Sequence, residues 1–348
     1  MGTEQMKKYL LSNGKNFYKA NMHMHTTVSD GRMTPEEVKK AYRAEGYSIV
    51  AFTDHEVIVD QGALRDDEFL PITAVEISIG EPFEEGVPNG KKTYHLNLYA
   101  KKEGNTIAPV FNEAYIWKRI EHIKEYVSEE MRLHQHPRVY GVEEVNEIIR
   151  LANEAGFLVS YNHPVWSLQG YPDYAGLRGL WGVEVYNRGC ARTGYPDTVQ
   201  PWEELLRQGE HILPLATDDA HSERDFFGGW LMVSADALEY DAVMTALENG
   251  DFYASTGPEI YEISIENGIL HVECSEAVRV FVSSERRDCK QANAQDALLT
   301  AADFDLNKYL NDMTLGACRW EPYVRVTVVD AAGKCAWSRA YFLKEWLE

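Results

Sequence analysis

The sequence predicts an α/β protein in which seven strands alternate with helices around a parallel sheet or barrel, followed by a small all-β, sandwich-like domain. Up to about residue 256, apolar β runs alternate with stretches of helical periodicity, the pattern of βα units. Seven runs qualify as strands: 17–25, 48–55, 70–79, 93–100, 157–163, 182–187 and 212–219. After Ser255-Thr256-Gly257-Pro258 the pattern changes to short alternating runs. A chain of 348 residues exceeds a usual single domain, so the division expected is 1–256 and 257–348.

The first strand leads into a well-marked helix. Thr34 supplies an N-cap, Pro35 occupies the first helical position, Glu37 completes a capping box, and Gly46 stops the helix. Segment 80–92, rich in Glu, Gly and Pro, reads as a long loop beside Glu76 that could shape or cover a site. Further helices are expected at 109–132, 142–155, 200–208 and 238–248. The β runs of the second domain are 259–265, 269–274, 278–282, 323–329 and 335–343, with Asn267-Gly268 and Ala332-Gly333 as hairpin turns.

Composition narrows the function classes. Hydrophobic residues make up 45% of the chain, and no run approaches the eighteen or so apolar residues of a membrane span. The first twenty residues contain lysines but no apolar core or small-residue cleavage site, so they do not read as a signal peptide. Cys190, Cys274, Cys289, Cys318 and Cys335 are odd in number and widely spaced, which fits free thiols in a reducing cytoplasm. A formal net charge of −21 argues against a groove for extended nucleic acid, which needs clustered Lys and Arg. Oligomeric state is not legible.

Six of the eleven histidines fall with three carboxylates at or near the ends of those seven strands. In order they are His23, His25, Asp30, His55, Glu76, His95, His163, Asp219 and His221. Side chains at i and i+2 of a strand share a face, so His23 and His25 can aim at one ion, as can Asp219 and His221. A lone H-x-H is weak: with eleven His in 348 residues, chance gives about 0.35 such triplets. The ordered set is the strong signal, because imidazole and carboxylate mixtures suit Zn, Mn and Fe. Nine ligands are enough for two or three divalent ions. His134-Gln135-His136 is a second H-x-H but lacks carboxylate partners and reads as a loop; His122, His211 and His271 also fall outside the set.

The motifs His23-Met24-His25, Ser29-Asp30-Gly31, Thr53-Asp54-His55, Val75-Glu76, Asn162-His163-Pro164 and Asp218-Asp219-Ala220-His221 closely resemble those of the PHP family, the polymerase and histidinol phosphatase metal-dependent phosphoesterases. The resemblance covers roughly residues 17–256. It implies a distorted, TIM-like (β/α)7 barrel and a trinuclear site holding manganese, iron or zinc. It further implies His23, His25, Glu76 and Asp219 on a first metal, Glu76, His95 and His163 on a second, and Asp30, His55 and His221 on a third. Glu76, Asp219 and His221 would then be catalytic as well as metal ligands. A metal-bridging hydroxide is the implied nucleophile, acting on a small phosphorylated metabolite such as a nucleotide phosphate. Three divalent ions, three carboxylates and one hydroxide leave a local charge near about +2, which suits a small anionic substrate.

Arg188, Arg192 and Arg224 lie near the presumed mouth and could clamp an anion, and Trp166 or Tyr161 could stack on a ring; an exposed loop arginine or a packed aromatic is the more frequent reading of each. Asp54 and Asp218 read as partners that orient neighbouring ligands, or as caps. The segment after Pro258, ending in Ala336-Trp337-Ser338-Arg339, resembles the PHP branch named for carbaryl hydrolases, so ester or carbamate hydrolysis on the same metals is an alternative expectation. A non-catalytic metal-binding regulatory protein is another.

Overall fold

The computed structural model describes residues 7–11, 15–82, 91–195, 198–314, 316 and 319–347; most of the segment 80–92 expected to border the site, and Cys318, lie outside them. The N-terminal region carries strands β1 Lys8–Leu11, β2 Asn16–Asn21, β3 Tyr47–Phe52, β4 Leu70–Gly80, β5 Thr93–Ala100, β6 Phe157–Tyr161, β7 Gly182–Asn187, β8 Leu213–Thr217, β9 Trp230–Ala235 and β10 Phe252–Ser255. The remainder carries β11 Ile260–Glu266, β12 Ile269–Ala277, β13 Arg279–Ser284, β14 Cys289–Asn293, β15 Leu299–Asp305, β16 Tyr323–Val329, β17 Cys335–Ser338 and β18 Tyr341–Phe342.

Local chemistry sets the first helix, Pro35–Ala44. The Glu37 amide donates to Thr34 Oγ1 at 3.2 Å and the Thr34 amide to Glu37 Oε2 at 2.9 Å, which satisfies two donors that a helix start leaves orphaned. Gly46, at φ +77°, takes the left-handed turn that ends it. Helix Val142–Glu154 buries Val145, Ile148, Ile149 and Ala152, one stripe at helical spacing, against the sheet. Each of the valine and isoleucine side chains contributes about 1.5–3 kcal/mol of burial.

Among the described residues, fourteen strands form one mixed sheet in the order β14-β13-β16-β17-β10-β9-β2-β3-β4-β5-β6-β7-β8, with β18 on β16, and four form a second sheet, β1-β11-β12-β15. The seven strands expected from sequence are β2 to β8, adjacent in chain order. Four of their contacts are parallel, β2–β3, β3–β4, β6–β7 and β7–β8. β5 runs antiparallel to both neighbours. Nor do the ladders close into the expected barrel. β9, which sequence reasoning missed, occupies the free edge of β2 from Asn16↔Ala235 to Ala20↔Leu231. β2 and β8 meet only past their ends, at a single parallel bridge between Met24 and Ala220.

The observed β2 stops four residues short of the expected strand, and β3, β6 and β8 two or three, so their ligands sit in the turns just beyond. The helix expected at 109–132 is instead a 3₁₀ turn, Glu113–Tyr115, a 3₁₀ stretch, Lys118–Tyr126, kinked at Ile120, and a short α-helix, Glu129–Leu133. Its buried Ile120 and Ile123 are three apart, a spacing that suits three residues per turn as well as 3.6.

Toward the C-terminus a single apolar core lies between the two sheets, with Ile263 and Val272 from the smaller and Val280, Val326 and Val328 from the larger. The Asn267-Gly268 turn has both residues at positive φ, 50° and 76°, the two-residue hairpin geometry its sequence calls for. Among the described residues no helix is long and apolar enough to cross a membrane.

Candidate metal centre

The nine candidate ligands meet at one end of β2 to β8. His23 and His25 lie just past β2, Asp30 in the following turn, His55 past β3, Glu76 within β4, His95 within β5, His163 past β6, and Asp219 and His221 past β8. Backbone bonds lock these turns together. The His25 amide donates to the Ala220 carbonyl at 3.1 Å, Arg32 to His221 at 3.0 Å, Glu56 to Glu76 at 2.9 Å and Asn162 to His95 at 3.0 Å. His163 at φ +27° and Asp219 at φ +47° hold backbone conformations that L-residues seldom adopt, as does Glu56 at +66°. Such strain persists only where the surroundings impose it.

The geometry is tightest around His23. Its Nε2 lies 3.2 Å from His25 Nε2, 3.3 Å from Asp219 Oδ1 and 3.4 Å from Glu76 Oε1. His25 Nε2 is 3.2 Å from the same Asp219 oxygen and 3.3 Å from Glu76 Oε2. An ion bound at about 2.1 Å by four tetrahedral ligands sets them about 3.4 Å apart, so these edges suit a transition metal.

Two further groups share members with this one. Glu76 Oε1 is 3.0 Å from His95 Nδ1 and 3.4 Å from His163 Nε2. Asp30 Oδ1 is 3.3 Å from His221 Nε2 and 3.8 Å from both His55 Nε2 and His25 Nδ1. His25 thus joins the Asp30 group as well as the first. His163 also approaches Asp219, at 3.8 Å, and with His23 completes another candidate group.

The residues fit metal ions by a test internal to the structure. His25 Nδ1, His55 Nδ1, His95 Nδ1 and Asp30 Oδ1 are buried with no hydrogen-bond partner, although carboxylate or imidazole atoms stand nearby. Leaving buried polar atoms unpaired is costly, and a cation among them removes that cost.

The charges are strongly coupled. Burial opposes a proton on His23 and His25, but the carboxylates of Asp219 and Glu76 outweigh it. They hold His23 well above its usual value and His25 at about 10. His163 is raised in the same way. His55 moves the other way, pushed down by burial and by the charge on His25. Burial opposes ionisation of Asp30, Glu76 and Asp219, yet the surrounding histidines keep all three well below the carboxylate range.

Sequence reasoning missed Glu184. This buried β7 carboxylate lies 2.7 Å from His23 Nδ1 and accepts from Thr217 Oγ1 at 2.7 Å, Asn187 Nδ2 at 2.8 Å and the His163 amide at 2.9 Å. It fixes the His23 tautomer so that Nε2 faces the centre. The signal available was an acid between Val183 and Val185 in an otherwise apolar strand. Asp54 accepts four bonds from Thr26 and Ser29 and so shapes the turn that carries Asp30. Asp218, pushed up to about 6 by burial, accepts from Tyr42 and from the amides of residues 227–229.

The candidate substrate contacts divide. Trp166 is 41% exposed, its ring 5.1 Å from His163 and 5.7 Å from His95. Arg188 packs over Gly228 and lines a cavity of about 240 Å³ with Phe227, Lys334 and Trp337. The Arg192 guanidinium donates to Asp225 at 2.7 Å, and Arg224 is exposed on the next turn. Tyr161 is fully buried in the apolar core and donates to Gln169, so it offers no exposed face to a substrate.

No family model matches the chain, and no curated protein matches it. Solved structures similar to it include a two-domain protein from Bacteroides vulgatus ATCC 8482 that contains a predicted PHP-like metal-dependent phosphoesterase. It is 15% identical, with 99% of each chain covered and a TM-score of 0.46. A candidate metal-dependent phosphoesterase from Bifidobacterium adolescentis ATCC 15703 is 17% identical over 59% of this chain and 88% of its own, with a TM-score of 0.35. The lesion-specific endonuclease PfuEndoQ from Pyrococcus furiosus is 13% identical over 67% of this chain and 56% of its own, with a TM-score of 0.38.

Proposed function

We propose that this chain is a metal-dependent phosphoesterase that hydrolyses a small phosphorylated metabolite, nucleotide phosphates included, at a trinuclear site of Mn, Fe or Zn. The observation that carries the reading is the sharing of Glu76. Its Oε1 stands 3.0–3.4 Å from His23, His95 and His163, while its Oε2 is 3.3 Å from both His25 and His55. One carboxylate could therefore serve adjoining ion positions, and adjoining ions are what phosphoryl chemistry uses. Divalent ions held there supply a Lewis acid and lower the pKa of water.

The chain's own residues do the rest. Glu76 and Asp219 offset the cationic charge, and Glu184 and Asn162 hold His23 and Glu76 in place, Asn162 donating to Glu76 at 3.0 Å. His221, with its side chain 34% exposed, marks the open side where an anion arrives. The net charge of −21 turns extended polyanions away and leaves small esters as the substrate class. We place this activity in residues 1–256, on strands read as an incompletely closed (β/α)7 barrel, with 257–348 as a β-sandwich. Among the described residues Cys190, Cys274 and Cys289 are free thiols, in keeping with a cytoplasmic protein.

The test is phosphate release from a panel of phosphate monoesters and nucleotide bisphosphates with Mn, Fe or Zn. His23→Ala and Asp219→Ala are expected to lower turnover about 100-fold or more. Absence of turnover in every metal, or faster cleavage of aryl esters than of phosphate esters, overturns the reading.

A further inference from the structure

Two half-exposed tryptophans stand against the imidazoles of the centre, and the proposed hydrolysis uses neither for chemistry. Trp117 is 39% exposed, with its ring 4.9 Å from His55 at an interplanar angle of 70°. Trp166 is 41% exposed and meets His163 at 84°. His55 and His95 are themselves 5.8 Å apart, and Trp166 lies 5.7 Å beyond His95. Trp117, His55, His95 and Trp166 thus form a run of successive ring contacts along the centre. We propose that Trp117 and Trp166 form a ring-binding subsite that takes the planar aromatic group of the substrate, a nucleobase or aryl ring, while its phosphate lies at the ions. The placement of the phosphate rests on the phosphoesterase reading.

Neither indole belongs to an apolar core. The core beneath Trp117 is built from Val28, Val57, Phe111, Ile120, Ile123 and Val127, and Trp117 stays outside it. The residues that follow it are nevertheless tied to the centre by their side chains. Arg119 donates to the Asp30 carbonyl at 3.3 Å, and His122 Nε2 lies 3.1 Å from the Val28 carbonyl. Trp166 is held by the turn that follows His163, where the Ser167 amide donates to the His163 carbonyl at 3.1 Å. Edge-to-face contact leaves at least one face of each indole uncovered by its histidine. An exposed, positioned aromatic face beside a polar centre is suited to stacking, which tolerates any planar ring.

The test is calorimetric binding to the full-length, metal-loaded protein, using the non-hydrolysable phosphonate analogues of adenosine 5′-monophosphate and glycerol 3-phosphate. Trp117→Ala and Trp166→Ala are each expected to weaken the adenosine ligand about tenfold or more, with the glycerol ligand changed less than about threefold and Trp→Phe retaining most of the affinity. Metal content of each variant, measured by mass spectrometry, establishes that the centre is intact. Equal loss for both ligands, or a wild-type protein that binds the adenosine ligand no tighter than the glycerol one, overturns the inference. The two proposals fail separately. Ring-selective binding without hydrolysis of any phosphate ester removes the phosphoesterase reading alone, and hydrolysis without ring selectivity removes the subsite alone.

Discussion

Glu184 is the residue on which the first ion position leans hardest without touching it. Four donors converge on its carboxylate, and one of them, His23 Nδ1, determines which face His23 turns to the centre. Glu184→Gln keeps the volume but replaces one acceptor oxygen with an amide that repels those donors. Metal affinity at the His23 position is expected to fall about 10- to 100-fold, read by titration with zinc or manganese, while the circular dichroism spectrum stays unchanged. Unaltered affinity would show that the Glu184 contact is only packing. The contrast with the nine candidate ligands explains what was legible. His23 to His221 stood out because His and Asp at strand ends have few other uses, whereas Glu184 looked like one more acid in an acidic chain. Trp117 was hidden for another reason: it sits in a segment whose periodicity read as an ordinary amphipathic helix.

At the scale of elements, the insertion between β5 and β6 is tied to the centre by a buried ion pair. Arg138 Nη1 donates to Glu56 Oε2 at 2.7 Å, both side chains are fully buried, and the Arg138 Nε donates to the Val110 carbonyl at 2.9 Å. Glu56 follows His55 directly, at φ +66°, and also accepts from the Ser78 amide at 3.0 Å. Burial raises the Glu56 carboxyl, and Arg138 offsets part of that rise. Arg138→Met leaves an uncompensated carboxylate, so the expected cost is about 3–5 kcal/mol, visible as a drop in melting temperature in metal-free protein. A variant within about 1 kcal/mol of wild type would mean that Glu56 takes up a proton at little cost. No sequence pattern announced this pair, because its partners lie 82 residues apart. The Asn267-Gly268 hairpin and the Thr34 capping box were legible because each is complete within a few residues. Long-range pairing such as β2 with β9 has no such local signature.

For the whole molecule, the N-terminal and C-terminal regions share one sheet. β10 pairs with β9 on one side and with β17 on the other, and Tyr323, Trp337, Ala340 and Phe342 complete the first core. Cutting the chain after residue 256 would bare both a strand edge and apolar surface. The fragment 1–256 is therefore expected to aggregate on size-exclusion chromatography, and a monodisperse, folded fragment would contradict this. The centre also couples to the stability of the entire fold through protons. In the metal-free protein His25 is held at about 10, with His23 and His163 raised as well. A histidine raised above its unfolded value of about 6.5 stabilises the fold below that pH, and the contribution is lost as pH climbs through the folded value. His55 is depressed, so its contribution runs the other way and is lost as pH falls below about 6.5. Asp30, Glu76 and Asp219 are depressed too, so they stabilise above the ordinary carboxylate range near about 4. Together these signs place the most stable metal-free protein near about pH 6.5, with a decline toward pH 10 as His25 deprotonates among three carboxylates. Metal ions replace those protons, so uptake releases protons and its stabilisation grows with pH. The melting-temperature gap between metal-loaded and metal-free protein is accordingly expected to widen from pH 6.5 to pH 9. A gap that stays flat or narrows across that range would mean that His23 and His25 are not protonated in the metal-free centre, and the charge coupling described for it would be wrong.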